Sequence, residues 1–598
     1  MPASFQSPRP RSSRWRPCDL LWLLPAVLLV VAKVRVVLDS LDRTVLGTLD
    51  GADAILQSGI LAWTVRHFWQ PGVCVQLPIF YPSTSALVCM DSLLGQALCV
   101  APLTVVADPT PALLYNLAVI VSLLLTAASG AALWLATSPD ESPSRRAAGA
   151  GLCALLLLGS PFTAWQLGVL NQISPPWVVF LLAGLWRGWL RFADARPPGP
   201  WWWLSAGALV AQATWGWYGF ADAVFVAGTA AALGGWLAWR RRRLRALLAQ
   251  LAGPLAVAAV LVLALAWPYL RLRAETPEYT RELGAVQYYG AHLHVLGNAG
   301  PHRLTWSDLT GPGEPASDRA MRNTDAVMHP GWLTLLFAVL AVCARRSWPP
   351  SRRRFLWLIA AVGVVGFVMS FGDSGGLPPG SDRRLLLPFG ILREVCLPFT
   401  AFRCPSRFIY LATVALAWLA TSGVLALGAS PVRWRRLVVW GVAAGLIWIE
   451  SVPMGMRAIP LPVDGRTDTA AVESAAPGAV LVVPAPATEA DETADGAFWL
   501  HRALATGQPV TDGLSGWVPP TARRLRARLQ DCEAGRLAVP ALLDSLRAAG
   551  IVGAEVSEHG ADPRRATFWE GALESAGFRG ATRAPGYRYY PFVDTADR

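Results

Sequence analysis

Lysine is almost missing from this chain: Lys33 is the only one, and arginine supplies the rest of the 52 basic residues. Charge of either sign is scarce as well. Asp, Glu, Lys and Arg make up 15% of the 598 residues, against about 25% in soluble domains. With 54% hydrophobic residues and a mean hydropathy of +0.39, that shortfall excludes a soluble multidomain protein. The nine cysteines form no Cys-x-x-Cys pair and show no Cys/His ligand spacing, so neither a zinc site nor a redox motif is indicated.

What the chain does have is long apolar runs separated by arginine clusters. The net charge of +12 could suggest nucleic acid. The distribution says otherwise: Arg240–Arg243 and Arg352–Arg354 sit between apolar runs, the positive-inside pattern of a polytopic membrane protein. Stretches of 17–25 apolar residues are spanning candidates. They fall near 19–38, 111–136, 147–165, 175–191, 201–218, 220–239, 248–270, 329–344, 355–371, 406–428 and 436–453. The first is no cleaved signal peptide, because Lys33 and Arg35 follow its centre with no small-residue cleavage site after them.

A further apolar segment, 86–106, carries Asp91, Gly95, Gln96 and Pro102. Charge parity decides how to treat it. With the basic tail 1–18 in the cytoplasm and 86–106 left out of the count, the arginine clusters at 145–146, 187–191, 240–243, 345–354 and 433–436 all fall inside. Counting it as a span would put them all outside. The segment therefore reads as a re-entrant or interfacial hairpin, tolerated where protein or a watery cavity satisfies its backbone. The expected fold is an α-helical polytopic membrane domain, 19–455, of about eleven spans, with outer loops 39–110 and 271–328.

After 456 the composition changes, with 18 of the 40 acidic residues in this last part. Strands are expected at Ala479–Val483, Ile551–Val556 and Tyr587–Phe592, and helices at Thr521–Gln530, Pro540–Ala549 and Phe568–Ala576. An extracytoplasmic α/β domain, 456–598, follows. It has no nucleophile elbow, phosphate loop or metal box, which favours a structural or acceptor-docking role.

The first outer loop is where chemistry is expected. Asp50 and Asp53 precede an amphipathic helix through Trp63, Arg66, His67 and Trp69. A carboxylate at a membrane boundary is costly to desolvate, and it can act as a general base or cation ligand facing water. Alternatively, Asp50 or Asp53 simply caps the helix. Arg403 and Arg407 lie on the outer side by parity, against the general rule, and suit an anionic lipid phosphate; snorkelling at a helix end is the other reading. Arg271 and Arg273 are weaker candidates of the same kind. The turn Thr214–Phe220 is either a sugar-stacking platform or part of an aromatic belt. His292 and His294 are spaced to share one face of a strand, and Asp222 is an acid just inside a span.

The wording of the loop is also recognisable. Gly51-Ala52-Asp53-Ala54-Ile55-Leu56, Leu61-Ala62-Trp63, Pro78-Ile79-Phe80-Tyr81-Pro82, Asp91-Ser92-Leu93-Leu94-Gly95-Gln96-Ala97 and Asp108–Asn116 resemble bacterial members of the GT-C superfamily of polytopic membrane glycosyltransferases. Gly159-Ser160-Pro161-Phe162, Trp165-Gln166-Leu167, His329-Pro330-Gly331 and Phe402–Phe408 extend the resemblance over most of 40–430. It implies transfer of a sugar from a polyprenyl-phosphate donor to an extracytoplasmic glycan, lipid or protein acceptor, at a multi-pass cell membrane with the N-terminus cytoplasmic. It also implies Asp53 as the catalytic base, with Asp50 as alternate and Asp91 as second acid or metal ligand. Arg403, Arg407, His67 and Gln96 are the candidate substrate and lipid-phosphate contacts, and a divalent cation such as Mg or Mn is a possible cofactor. One departure stands out: relatives often carry a His after the Gln-Leu pair, where this chain has Leu170-Asn171-Gln172. A lipid-linked glycan flippase and a non-catalytic envelope assembly factor are the competing classes; the absence of an internal repeat counts against the first.

Overall fold

The computed structural model describes residues 20–47, 51–83, 86–91, 93–173, 175–276, 286, 289–291, 329–373, 387–430, 432–453, 456–461, 478–485, 499–504, 507–513, 518–557, 563–584 and 587–592. Asp50, His292 and His294 lie outside them.

Backbone in hydrocarbon must satisfy its own polar groups, which a helix does within one segment, and the apolar runs fold accordingly. The helices are α1 (Leu21–Ser40), α2 (Ala52–His67), α3 (Leu94–Val105), α4 (Pro111–Thr137), α5 (Pro143–Leu158), α6 (Pro161–Gly168), α7 (Pro176–Ala193), α8 (Trp201–Trp215), α9 (Trp217–Arg240), α10 (Leu244–Glu275), α11 (Trp332–Cys343), α12 (Pro350–Ser370), α13 (Pro388–Val395), α14 (Pro405–Leu427) and α15 (Arg433–Ser451). Each of the eleven expected stretches falls on one of them. Among the described residues, α1, α4, α9, α10, α12 and α14 are individually long and apolar enough to cross a membrane. The pair α5 and α6, bent by 51°, makes a seventh if taken as one span. The others are shortened or charged: α8 stops after 15 residues at Gly216 and α11 after 12, while α15 opens on three arginines. In 86–106, the longest helix is α3, too short to cross.

Small residues let these helices approach closely, as expected where lipid gives no hydrophobic drive between them. A methyl group on Gly423 of α14 would reach within 1.9 Å of the Phe337 carbonyl on α11. Asn116 of α4 ties the exit of α1 in place. Its side chain accepts from Leu46 N–H at 3.0 Å and donates to the carbonyls of Leu41 (3.0 Å) and Thr44 (2.7 Å). At the arginine-rich end, the buried Arg352 pairs with Glu141 and lies 4.7 Å over the Trp134 ring.

Strand β1 (Thr44–Gly47) leaves α1 and pairs antiparallel with β2 (Arg457–Pro460), the start of the tail. The tail then folds as α/β. Strands β3 (Ala479–Val483), β4 (Ile551–Ser557), β5 (Ala581–Ala584) and β6 (Tyr587–Pro591) form a sheet in the order β3-β4-β6-β5. Only the β3–β4 pair is parallel. Helices α16 (Pro520–Glu533), α17 (Val539–Ala548) and α18 (Pro563–Ser575) accompany it. Leu529, Leu542, Leu543, Trp569 and Leu573 of these helices pack with the sheet residues Leu481, Val483, Ala554 and Val556.

Helix α2 differs from its sequence-based description. It is buried on most of its surface rather than amphipathic, because tail residues cover it: Leu500 packs against Gly59, within 2.8 Å of where a Cβ would sit.

Replacing Gly423 by Val is expected to lower the thermal stability of the detergent-solubilised protein by about 1–3 kcal/mol, the usual penalty of overpacking. Gly228→Ala, at a helical position with nothing within 4 Å, serves as control. Equal melting temperatures for the two variants would contradict the close α11–α14 contact.

Candidate functional site

Four chain segments converge beside α2, and a carboxylate lies at their meeting point. Asp91, half-buried between the turn at Ala86–Cys89 and α3, accepts through Oδ2 from the Asn171 amide and through Oδ1 from the Trp217 N–H at 3.3 Å. Asn171 Oδ1 in turn accepts from Gln57 Nε2 at 3.1 Å. Gln57 stands on α2, so Asp91 is linked through Asn171 to the helix that bears Asp53. Burial pushes the Asp91 carboxyl up from its ordinary value, while the Trp217 and Asn171 hydrogen bonds and the charge of Arg407 oppose the rise.

The turn between α8 and α9 is held against this network. Gly216 breaks the helix and passes so close to Asn171 that a Cβ would lie 3.1 Å from the Asn171 carbonyl. Gln96 of α3 donates from Nε2 to the Trp215 carbonyl at 2.9 Å. The Tyr218 hydroxyl accepts from the backbone N–H groups of Arg403 (2.8 Å) and Cys404 (2.9 Å). Both arginines rest on aromatic faces, Arg407 4.7 Å over Tyr218 and Arg403 4.7 Å over Tyr289. A guanidinium seated on a ring points its N–H groups in the plane beyond the ring's edge, the orientation in which arginine pairs with phosphate. Asn171, Gln172, Tyr218, Asp222 and Arg407 line one small cavity, where the buried Asp222 Oδ1 has no hydrogen-bond partner among the described residues.

Asp53 is exposed in the first turn of α2, where the helix dipole favours a negative charge. It lies one turn from Gln57, on the same face, and its charge reaches the Tyr115 hydroxyl. The N-cap of α2 is Gly51, which has no side chain to cap with. Gly51 adopts φ +67°, and a Cβ there would meet Ile459 of β2 at 2.2 Å. A glycine is required by conformation and by space, so Asp53 is not the N-cap.

The candidates thus divide. Asp53, Asp91, Gln96, Arg403 and Arg407 belong to one neighbourhood. His67 does not: it ends α2, about 21 Å along the helix axis from Asp53. There its Nδ1–H donates to the Trp63 carbonyl at 3.0 Å and its ring stacks on Trp63. Arg271 is exposed and paired with Glu275. Trp215 is buried, which removes it as a sugar platform. Among the described residues no group of three or more His, Cys, Asp or Glu is arranged to hold a metal ion. Sequence reasoning missed Gln57 and Asn171. The only signal for Asn171 was that it stands where relatives differ.

The tail completes the enclosure of α2. His501, in the helical turn 499–504, lies buried with Nε2 2.8 Å from the Ile55 carbonyl and 3.0 Å from Ser58 Oγ. Val510 N–H donates to the Pro78 carbonyl (3.0 Å), and its own carbonyl accepts from Tyr81 N–H (3.0 Å).

No protein family and no curated protein matches the sequence. Solved structures do. The chain is similar to ArnT from Cupriavidus metallidurans bound to undecaprenyl phosphate, at 12% identity and TM-score 0.45, over 95% of this chain and 98% of that one. The apo form gives 13% identity and TM-score 0.44, over 95% and 97%. It is also similar to the oligosaccharyltransferase AglB from Archaeoglobus fulgidus in complex with an inhibitory peptide and a dolichol-phosphate, at 9% identity and TM-score 0.48, over 97% and 74%. ArnT and AglB are membrane glycosyltransferases of the GT-C superfamily.

Burial lowers the His501 imidazole from its ordinary 6.5 to about 4. A histidine depressed in the folded state takes up its proton first in the unfolded chain, so its neutral contact contributes fully above pH 6.5 and is lost as pH falls through 4. The difference corresponds to about 3 kcal/mol. The wild-type melting temperature is expected to drop more steeply between pH 6.5 and 4 than that of His501→Asn. Parallel curves would remove His501 from the contact's energetics.

Proposed function

We propose that this chain is a membrane-embedded glycosyltransferase that moves a sugar from a polyprenyl-phosphate donor to an acceptor hydroxyl on the extracytoplasmic face. One observation carries the reading: an exposed carboxylate, Asp53, stands one helical turn from a hydrogen-bonded network, Gln57–Asn171–Asp91, whose acid feels the positive charge of Arg407, itself seated over Tyr218. A base and a cationic seat for a leaving phosphate are the two parts such a transfer needs. The topology that goes with it has eleven spans, the basic N-terminus in the cytoplasm and residues 456–598 outside.

In the proposed step the acceptor hydroxyl gives its proton to Asp53 as its oxygen attacks the anomeric carbon. The bond from that carbon to the phosphate oxygen breaks, and polyprenyl phosphate leaves with the electron pair. Arg403 and Arg407 neutralise the charge that appears on it. A single displacement inverts the anomeric centre. Asp91 is given the orienting role, since it stands half-buried with each oxygen tied into the network that holds Asn171 and Trp217. A cation such as Mg or Mn is given no step here, because the described residues bring no third ligand to Asp53 and Asp91.

The test is transfer by the purified full-length protein from a panel of labelled polyprenyl-phosphate sugars, reading both glycosylated acceptor and released polyprenyl phosphate. Asp53→Asn is expected to lower the rate about 10²- to 10⁴-fold, the usual contribution of a general base, with expression and membrane insertion unchanged. Arg407→Gln should weaken donor use while leaving the acceptor's KM alone. A well-inserted Asp53→Asn protein that still transfers sugar would overturn the assignment. Movement of the lipid-linked sugar across vesicles without chemical transfer would replace it with a flippase. Rescue of function by residues 456–598 alone would point to an assembly factor.

A further inference from the structure

One cavity among the described residues opens away from Asp53 and takes no part in the proposed transfer. It is a groove of about 1110 Å³ between α1, α15 and the first residues of α5. Its floor contains Gly441 and Gly445, four apart on α15, where a Cβ would meet nothing within 4 Å. The walls include Leu24, Leu28, Trp440 and Trp448. At the end where α15 begins, the lining changes to Arg436 and Ser144. Arg436 is half-buried, and among the described residues no carboxylate pairs with it.

We propose that this groove is a binding site for an anionic membrane phospholipid, one acyl chain along the glycine floor and the headgroup phosphate at Arg436. From Arg436 to Ile449 the lining covers about 20 Å of helix, against about 15 Å for the hydrocarbon of one leaflet, so an acyl chain fits lengthwise. The apolar walls match hydrocarbon, and a half-buried guanidinium with no acidic partner matches a phosphate. Basic pockets between spanning helices bind acidic headgroups in this way.

Charge decides against the other occupants. The residues before Leu21 carry Arg9, Arg11, Arg14 and Arg16, the same sign as Arg436. A second copy packed by a two-fold axis along the membrane normal would bring Arg436 towards Arg436 at equal depth. The site is also separate from any donor-lipid site at Arg403 and Arg407. Groove residues Leu21–Leu28 lie at one end of α1, and the other end of this 20-residue helix leads into β1 and Asp53. For the headgroup end at Arg436 that is a separation of about 20–30 Å, close to a bilayer's thickness. The inference does not depend on the proposed transfer reaction.

Native mass spectrometry of the purified full-length protein tests it, with palmitoyl-oleoyl phosphatidylglycerol or phosphatidylethanolamine added at equal concentration. The wild type is expected to retain one phosphatidylglycerol about fivefold more than phosphatidylethanolamine, in line with one arginine at the surface of a membrane. Arg436→Gln should abolish the preference, and Gly445→Leu should lose both adducts. Because Gly445 faces open space, its replacement should leave size-exclusion profile and melting temperature unchanged, which checks the fold. Equal retention of the two lipids by the wild type would overturn the proposal, as would a preference that survives both substitutions. A change from dimer to monomer in Gly445→Leu, with lipid retention unaltered, would overturn it in favour of a contact between copies.

Discussion

The arrangement around α2 depends on how one carboxylate is satisfied. A carboxyl group withdrawn from water is costly unless donors surround it. Two donors meet Asp91, the Asn171 side chain and the Trp217 backbone, and the positive charge of Arg407 lies near enough to favour its ionised form. These belong to the segment after α6, to the α8–α9 turn and to the start of α14. Elements far apart in sequence are thereby fixed to one point. Each also has work that does not involve Asp91: Asn171 holds Gln57, the turn presents Tyr218, and α14 carries Arg407 just after Arg403. Removing the acid would leave the Asn171 amide and the Trp217 N–H each without this acceptor in a place poor in water, and would take a negative charge from the neighbourhood of Arg407.

The opposite side of α2 is held by the tail. Ile459 fills the space behind Gly51 just before Asp53, and His501 engages Ile55 and Ser58 just after it. The helix is clamped between a polar network and a tail docked largely through apolar and backbone contacts. Positioning an acid to within a fraction of an ångström requires that kind of support from behind. Part of the tail's surface is therefore spent on holding the segment that carries Asp53.

The sequence made some of this legible and concealed the rest for identifiable reasons. Strands Ala479–Val483 and Ile551–Ser557 and the three tail helices could be read because apolar periodicity and Gly550 mark them. Strand β5 has no such pattern. Thr44–Gly47 and Arg457–Pro460 are four residues each and more than four hundred apart, so nothing local announces their pairing. The same distance hid His501 from α2, and without it the burial of that helix could not be foreseen. Of the site, the acids and the two arginines stand out by charge in an apolar chain. Gln57 and Asn171 do not, because an amide becomes informative only once its partner is known. The aromatic turn was read for its rings, yet its contribution to the network comes from a backbone N–H of Trp217 and the phenol oxygen of Tyr218.

What distinguishes the two acids of the first outer loop is therefore environment rather than residue type. Asp91 is enclosed, its carboxyl raised by burial and both oxygens committed to donors. Asp53 is exposed in the first turn of α2, at the helix's positive end. Two carboxylates placed in contrasting surroundings separate into different roles. An acid with each oxygen tied into a half-buried network is held in place by it, and a group that approaches must disturb that network. One exposed in the first turn of a helix can be reached from water. That asymmetry, more than the presence of two aspartates, makes Asp53 the stronger candidate for the base.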